Sequence, residues 1–231
     1  MSQFTRPDDS IHVAAGWSYS NTDLDHLVVA LHQALDTAQI NQTICKNDES
    51  SREKYPFKQL LIAHSYGLMR VMNGGQAHFT DYDAIIVMNG FTDFCAGQRR
   101  RGYVLRQMMQ RFAQAPSDTL YDFYVQSGMD RQQAHHQIEQ VPVHDAAYMR
   151  QLYDELLTMQ NTTIALPPHI PILILASQQD QIVPPAVIQH NFMDAGAASV
   201  TVKWHPDASH LLPFTHPEWC ISEMVHWLAL R

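Results

Sequence analysis

Cysteine is scarce in this chain: among 231 residues only Cys45, Cys95 and Cys220 occur. They are widely spaced, odd in number and outside any CxxC pattern, which argues against a disulfide framework and a zinc knuckle alike. Cationic charge is also short, with 15 Lys and Arg against 23 Asp and Glu and a net charge of -8. Neutralising phosphates needs a cationic face, so nucleic acid is not an expected partner. No apolar run reaches the ~18 to 20 residues of a membrane span. The opening MSQFTRPDDS is polar and carries acids, with no secretory apolar region. Internal repeats, low-complexity tracts and Gly/Ser linkers are missing as well. What is present is 45% hydrophobic content, enough for one sizeable core. The expectation is a soluble, cytoplasmic, monomeric protein of one domain spanning residues 1–231.

Apolar patterning orders the elements. IHVAAGW (11–17) is a short β-like run, and NTDLDHLVVALHQAL after it has helical spacing, with Asn21, Thr22 or Asp23 as N-cap candidates. QTIC (42–45) reads as a short strand and KNDESSREKYP (46–56) as polar connecting chain. FKQLLIAHS is a buried strand, followed by a helix YGLMRVMNGG stopped at Gly74 and Gly75. YDAIIVMNG (82–90) and IPILILAS (170–177) are continuous apolar runs of the kind found in parallel strands covered on both faces. PPAVIQHNFMDAG is a helix with proline near its start. SVTVKWH (199–205) is a last strand, and HPEWCISEMVHWLALR a C-terminal amphipathic helix. Residues 92–168 hold helical runs but no strand. The fold class is therefore α/β: a mostly parallel open sheet with helices on both faces. Its core is 11–91 and 169–231, and a helical insertion at about 92–168 forms a lid.

Ser65 falls where a strand gives way to a helix, in AHSYG, an A-x-S-x-G version of the nucleophile elbow. A sharp turn there brings the serine Cα close to neighbouring backbone, so small residues are needed two before and two after; Ala63 and Gly67 meet this. About one chain in seven carries such a pentapeptide by chance on average residue usage, so the motif needs support. A serine hydroxyl needs a histidine to take its proton, and the histidine needs a carboxylate to hold its tautomer. Asp180 in SQQDQIVPP follows the strand ILILAS, at the end where open α/β sheets hold ligands. His210 in HPDASHLLPFTHPEW follows the last strand. The chain order Ser, Asp, His, each after a strand, is that of the α/β-hydrolase pattern. An oxyanion hole needs two amides; Tyr66 follows the nucleophile, and Trp17 in AAGWS lies on the loop after the first strand, where Gly16 allows close approach.

Competing assignments are weaker. Asp207, three residues before His210, reads as a turn residue. Cys95 has no base at a matching junction and reads as a packed thiol. His135, His136 and His144 lack acids or cysteines at ligand spacing and read as solvated histidines, so neither metal nor organic cofactor is implied. His64, beside the serine, is not the base. Met108, Met109, Met129, Met149 and Met159 read as packing within the lid.

The GW after the first strand, AHSYG, SQQDQIVPP and ASHLLPFTHPEW together resemble the α/β-hydrolases that act as pimeloyl-[acyl-carrier protein] methyl ester carboxylesterases in biotin synthesis. The likeness runs from about residue 11 to the C-terminus and is loosest in the lid. It implies Ser65 as nucleophile, Asp180 as acid, His210 as base, and Trp17 and Tyr66 as oxyanion donors. Ala15 replaces the histidine that often precedes the oxyanion glycine, Ala63 replaces a glycine, and Leu68 stands where a second glycine is common. The N-terminal strand pair of the larger fold is trimmed. Five of the fifteen basic residues, Arg99, Arg100, Arg101, Arg106 and Arg111, fall within positions 99–111. As a helix, GYVLRQMMQRF groups Val104, Leu105, Met108, Met109 and Phe112 on one face, with Arg106 and Arg111 on its flanks near Arg99 and Arg100. An amphipathic solvated helix satisfies that pattern. Under the resemblance, Arg99, Arg100, Arg106 and Arg111 suit docking of an acidic acyl-carrier protein, with Met108 and Phe112 toward the acyl chain.

Overall fold

A computed structural model describes residues 11–46, 57–73, 78–194 and 199–230, with the backbone alone for 38–46. Among the described residues five strands form one sheet in sequential order, β1 (Ile11–Ala14), β2 (Leu60–His64), β3 (Ala84–Met88), β4 (Ile172–Ser177) and β5 (Val200–His205), every neighbouring pair parallel. β2, β3 and β4 are buried at every position, which is why they read as unbroken apolar runs. β1 and β5 are the edges and are only partly covered.

Alternate side chains of each strand feed two separate layers. Leu60, Ile62, Ile86, Leu173 and Leu175 pack under α1 (Asp25–Lys46) and α9 (Pro217–Ala229), through Leu27, Leu31, Leu35, Met224 and Trp227. On the opposite face Leu61, Ala63, Ile85, Val87, Ile174 and Ala176 meet α2 (Gly67–Asn73), α7 (Pro185–Ile188) and the insertion. The insertion between β3 and β4 consists of α3 (Arg99–Gln114), α4 (Pro116–Ser127), α5 (Arg131–Gln140) and α6 (Ala146–Asn161). Each of the last three has a local start signal: proline at the first turn of α4, a capping box of Asp130 and Gln133 on α5, and Asp145 capping α6. The Ile164 amide donates to the Thr92 carbonyl at 2.9 Å, so the two stems of the insertion are joined.

Several local expectations change. Residues 42–45 lie within α1 rather than forming a strand; a four-residue run cannot compete with a helix already propagating through it. The cap at this end is Ser20, whose side chain accepts from the Thr22 amide at the head of a 3₁₀ turn, Asn21–Leu24, that leads into α1. The helix expected after Pro184 is one turn of α7 followed by a π turn, Gln189–Met193. A short helix α8 (Leu212–Thr215) precedes α9. Residues 1–10, most of the 46–56 connection, the glycines at 74 and 75 and the end of the PPAVIQHNFMDAG segment lie outside the described residues. No helix among those described is long and apolar enough to cross a membrane.

Candidate active site

The strand ends supply the candidate site. Directly after β2 the chain turns at Ser65 with φ of +54°, a left-handed conformation rare for a side chain with a Cβ. The turn is held because the Ser65 amide continues the sheet ladder to the Met88 carbonyl at 3.0 Å while α2 begins two residues later. α2 passes so close to β1 that a Cβ on Gly67 would sit 2.0 Å from the Ala14 carbonyl oxygen. Only glycine fits there. Gly16 is similarly confined, its missing Cβ falling 2.9 Å from the Ser65 Cβ.

The Ser65 Oγ and the His210 Nε2 are 2.9 Å apart, and the His210 Nδ1 and Asp180 Oδ2 are 2.8 Å apart. The other Asp180 oxygen, Oδ1, accepts from the Ile182 and Val183 amides, both at 2.8 Å. A carboxylate used as acceptor at both oxygens makes the His210 Nδ1 the donor, which leaves Nε2 free to accept the serine proton. All three residues are buried. Asp207, the rival acid, is exposed and turns back on His205 through its amide.

His64 lies behind this row and not in it. Its Nε2 is 3.0 Å from the His210 carbonyl oxygen, so Nε2 carries the hydrogen and donates it. Complete burial, then the neighbouring His210, push its pKa down to about 3, and the ring stays neutral. Asn89, at φ +45° after β3, holds the same loop from the other side. Its Nδ2 donates to the Ser209 carbonyl at 2.9 Å, the His210 carbonyl at 3.2 Å and the Ser177 Oγ at 3.0 Å; its Oδ1 accepts from the Ser177 amide at 2.9 Å. Sequence reasoning missed Asn89. The one available signal was an asparagine directly after a buried strand, where αL geometry favours it.

The Ser65 hydroxyl opens on a cleft of about 570 Å³, within the range of small-molecule sites. Its walls are apolar, including Trp17, Phe91, Leu105, Met108, Phe123 and Met159. The Trp17 ring is buried edge-on to Phe112 and Phe123, at centroid distances of 5.6 and 4.9 Å. Phe112 is thus core beneath Trp17 and does not line the cleft; the phase of α3 buries it together with Met109, while Leu105, also buried, still reaches the cleft wall. Met108 does line it, with exposed Val104 at the rim. Tyr66 is buried at the start of α2, away from the lining.

The arginines divide. Arg100, Arg101 and Arg111 line the cleft, whereas Arg99 and Arg106 do not. Arg111 is paired with Asp122, and Arg101 donates to the Phe94 and Ile182 carbonyls at 2.9 and 3.0 Å. Arg99, Arg100 and Arg106 are exposed. Cys95 is half-buried, and burial together with Asp93 raises its thiol pKa, which leaves little thiolate for nucleophilic work. His135 packs on Tyr121 and His136 lies beside Glu139. Among the described residues no three His, Cys, Asp or Glu side chains gather as a ligand set.

A sequential parallel sheet with helices on both faces, an elbow after β2 and an insertion after β3 together define an α/β-hydrolase fold. The sequence model of the family described as serine aminopeptidase, S33, matches residues 25–216, and the chain belongs to that hydrolase family. Among solved structures, MGS-M2, an α/β-hydrolase enzyme from a Medee basin deep-sea metagenome library, has a TM-score of 0.65 at 11% identity, covering 100% of this chain and 92% of that one. An esterase from Exiguobacterium antarcticum has a TM-score of 0.63 at 13% identity over 95% and 91% of the two chains. A monoacylglycerol lipase from Paleococcus ferrophilus has a TM-score of 0.53 at 14% identity over 94% and 93%. No curated protein sequence matches the chain.

Proposed function

We propose that this protein is a serine esterase in which Ser65 is the nucleophile, His210 the general base and Asp180 its orienting acid. The observation that carries the reading is the hydrogen-bonded row from Ser65 Oγ through His210 to Asp180, opening on an apolar cleft. In the first half-reaction the His210 Nε2 takes the Ser65 proton as Oγ bonds to the ester carbonyl carbon. The carbonyl oxygen gains the negative charge, and the Trp17 and Tyr66 amides are the donors proposed for it. Collapse breaks the bond to the alkoxy group, which leaves as alcohol with the proton from His210. In the second half, water gives a proton to His210, attacks the acyl-enzyme and releases the acid as the proton returns to Ser65. No step requires a metal or an organic cofactor.

For the substrate we propose the methyl ester of a pimeloyl chain carried on acyl-carrier protein, released as methanol and the carrier-bound acid. The motif resemblance supports this, as do the apolar cleft walls, exposed Arg100 on the cleft lining, and exposed Arg99 and Arg106 on the same helix. A second reading, a general esterase or thioesterase for small acyl groups, draws on Arg101 and Arg111, which are engaged within the protein and are less available to a carrier. A gel-shift assay on pimeloyl-carrier methyl ester separates the two readings. The first expects the demethylated carrier in preference to hydrolysis of a free short-chain ester; the second expects the reverse order.

A further inference from the structure

We infer that Arg70, held by Glu155 of the insertion, is a positioning residue that orients the oxyanion loop, so that α6 buttresses the catalytic machinery. This rests on the esterase reading. The Arg70 NH1 and NH2 groups donate to the Ala15 and Gly16 carbonyls at 2.7 and 3.2 Å. These are the two carbonyls immediately before Trp17. In a planar trans peptide the C=O and the following N–H point in opposite directions. Drawing both carbonyls onto one guanidinium therefore turns the Gly16 and Trp17 amides away from Arg70. Gly16 itself lies against Ser65, where its missing Cβ would fall 2.9 Å from the serine Cβ. A positive charge behind a carbonyl also polarises the peptide and strengthens its N–H as a donor.

The guanidinium does not hold this position alone. Its Nε and NH2 make a two-pronged contact with Glu155 Oε1 and Oε2, both at 3.0 Å, and Gln151 donates to the same Oε1 at 3.1 Å. Glu155 is buried, and Arg70 is the cation paired with it. One turn away on α6, the Leu152 carbonyl accepts from the Trp17 indole nitrogen at 2.9 Å. Helix α6 thus grips the loop twice, once through the Trp17 ring and once through Arg70. Arg70 also lies over the ring of Tyr66, the other proposed donor, at 5.4 Å. A surface ion pair would explain none of this, because its cation would face solvent rather than two loop carbonyls.

The test compares Arg70→Ala, Arg70→Lys and Glu155→Gln in the full chain, using a short p-nitrophenyl ester and a boronic acid that binds as a tetrahedral adduct. Arg70→Ala is expected to lower kcat on the order of 10²-fold, the size of a lost oxyanion donor, and to weaken boronate binding in parallel with KM little changed. Glu155→Gln is expected to fall between it and the wild type. Thermal melting identifies folded variants; if Arg70→Ala does not fold, Arg70→Lys carries the test, since one ammonium cannot hold two carbonyls and two carboxylate oxygens. Folded Arg70 variants with wild-type kcat and boronate affinity, or with a change in KM alone, would overturn the inference while leaving the esterase reading intact. A wild-type protein that neither hydrolyses the ester nor reacts with a fluorophosphonate at Ser65 would remove the esterase reading, and the inference with it.

Discussion

At the scale of single residues, the positions read from the sequence were those whose chemistry restricts residue type. A serine between small neighbours, an acid after a buried strand and a histidine after the last strand can be recognised because few other residues do those jobs. Arg70, Asn89 and Glu155 left no such trace. The contacts that bring them to the site span 54 to 121 residues in sequence, and an arginine in a helix has many uses. Under the esterase reading, Ser65→Ala and His210→Ala each lower kcat on the order of 10⁴-fold or more. Steady-state kinetics on a p-nitrophenyl ester checks this; retention of a tenth of the activity in Ser65→Ala contradicts it. His64 supplies a prediction independent of activity. Folded protein keeps it neutral down to about pH 3, whereas the unfolded chain takes up the proton near pH 6.5. Stability therefore falls as pH drops through that window, by about 1.4 kcal/mol per pH unit from this group. In urea titrations at pH 7, 5.5 and 4, His64→Gln should show a shallower decline than wild type. Parallel declines would mean that His64 is protonated in the fold.

At the scale of elements, β2, β3 and β4 were legible because burial on both faces leaves an unbroken apolar run, and α9 because one face alone is covered. The strand expected at 42–45 failed for the complementary reason. Four residues are too few to distinguish a period of two from the end of a helix, and α1 runs through them. The π turn after α7 was illegible because its cause is tertiary. Asn191 within it accepts from the Thr92 and Asp93 amides and donates to the Asp93 and Val187 carbonyls, tying the stem of the insertion to α7. The end of β3 shows how elements converge on the site. Asn89→Ala removes the side-chain bonds to the Ser209 and His210 carbonyls and the Ser177 amide, all beside buried chain. It should destabilise the fold by about 2 kcal/mol or more and lower kcat. Urea unfolding measures the first effect; a change under about 0.5 kcal/mol, typical of an uninvolved surface site, would show that this anchor does not hold the histidine loop.

At the scale of the whole molecule, an acidic protein carries a local cationic strip beside its cleft. Two of those five arginines are engaged within the structure, and Arg99 and Arg100 remain the exposed pair at the start of α3. If an acidic carrier docks there, local attraction has to overcome the repulsion of two anionic proteins, so turnover of carrier-bound substrate should fall as salt rises past about 0.15 M, where the screening length is about 8 Å. Arg99→Glu with Arg100→Glu should lower kcat/KM for the carrier-bound ester about tenfold at low salt, and by less for a free ester. Equal losses on both substrates would favour the small-ester reading. The account depends above all on Ser65 reacting. Incubation with a fluorophosphonate, followed by peptide mass spectrometry and ester assay, tests this most directly. The account predicts one adduct, on Ser65, with activity lost in proportion to labelling; full labelling elsewhere, or an unlabelled protein that still hydrolyses the ester, would contradict it.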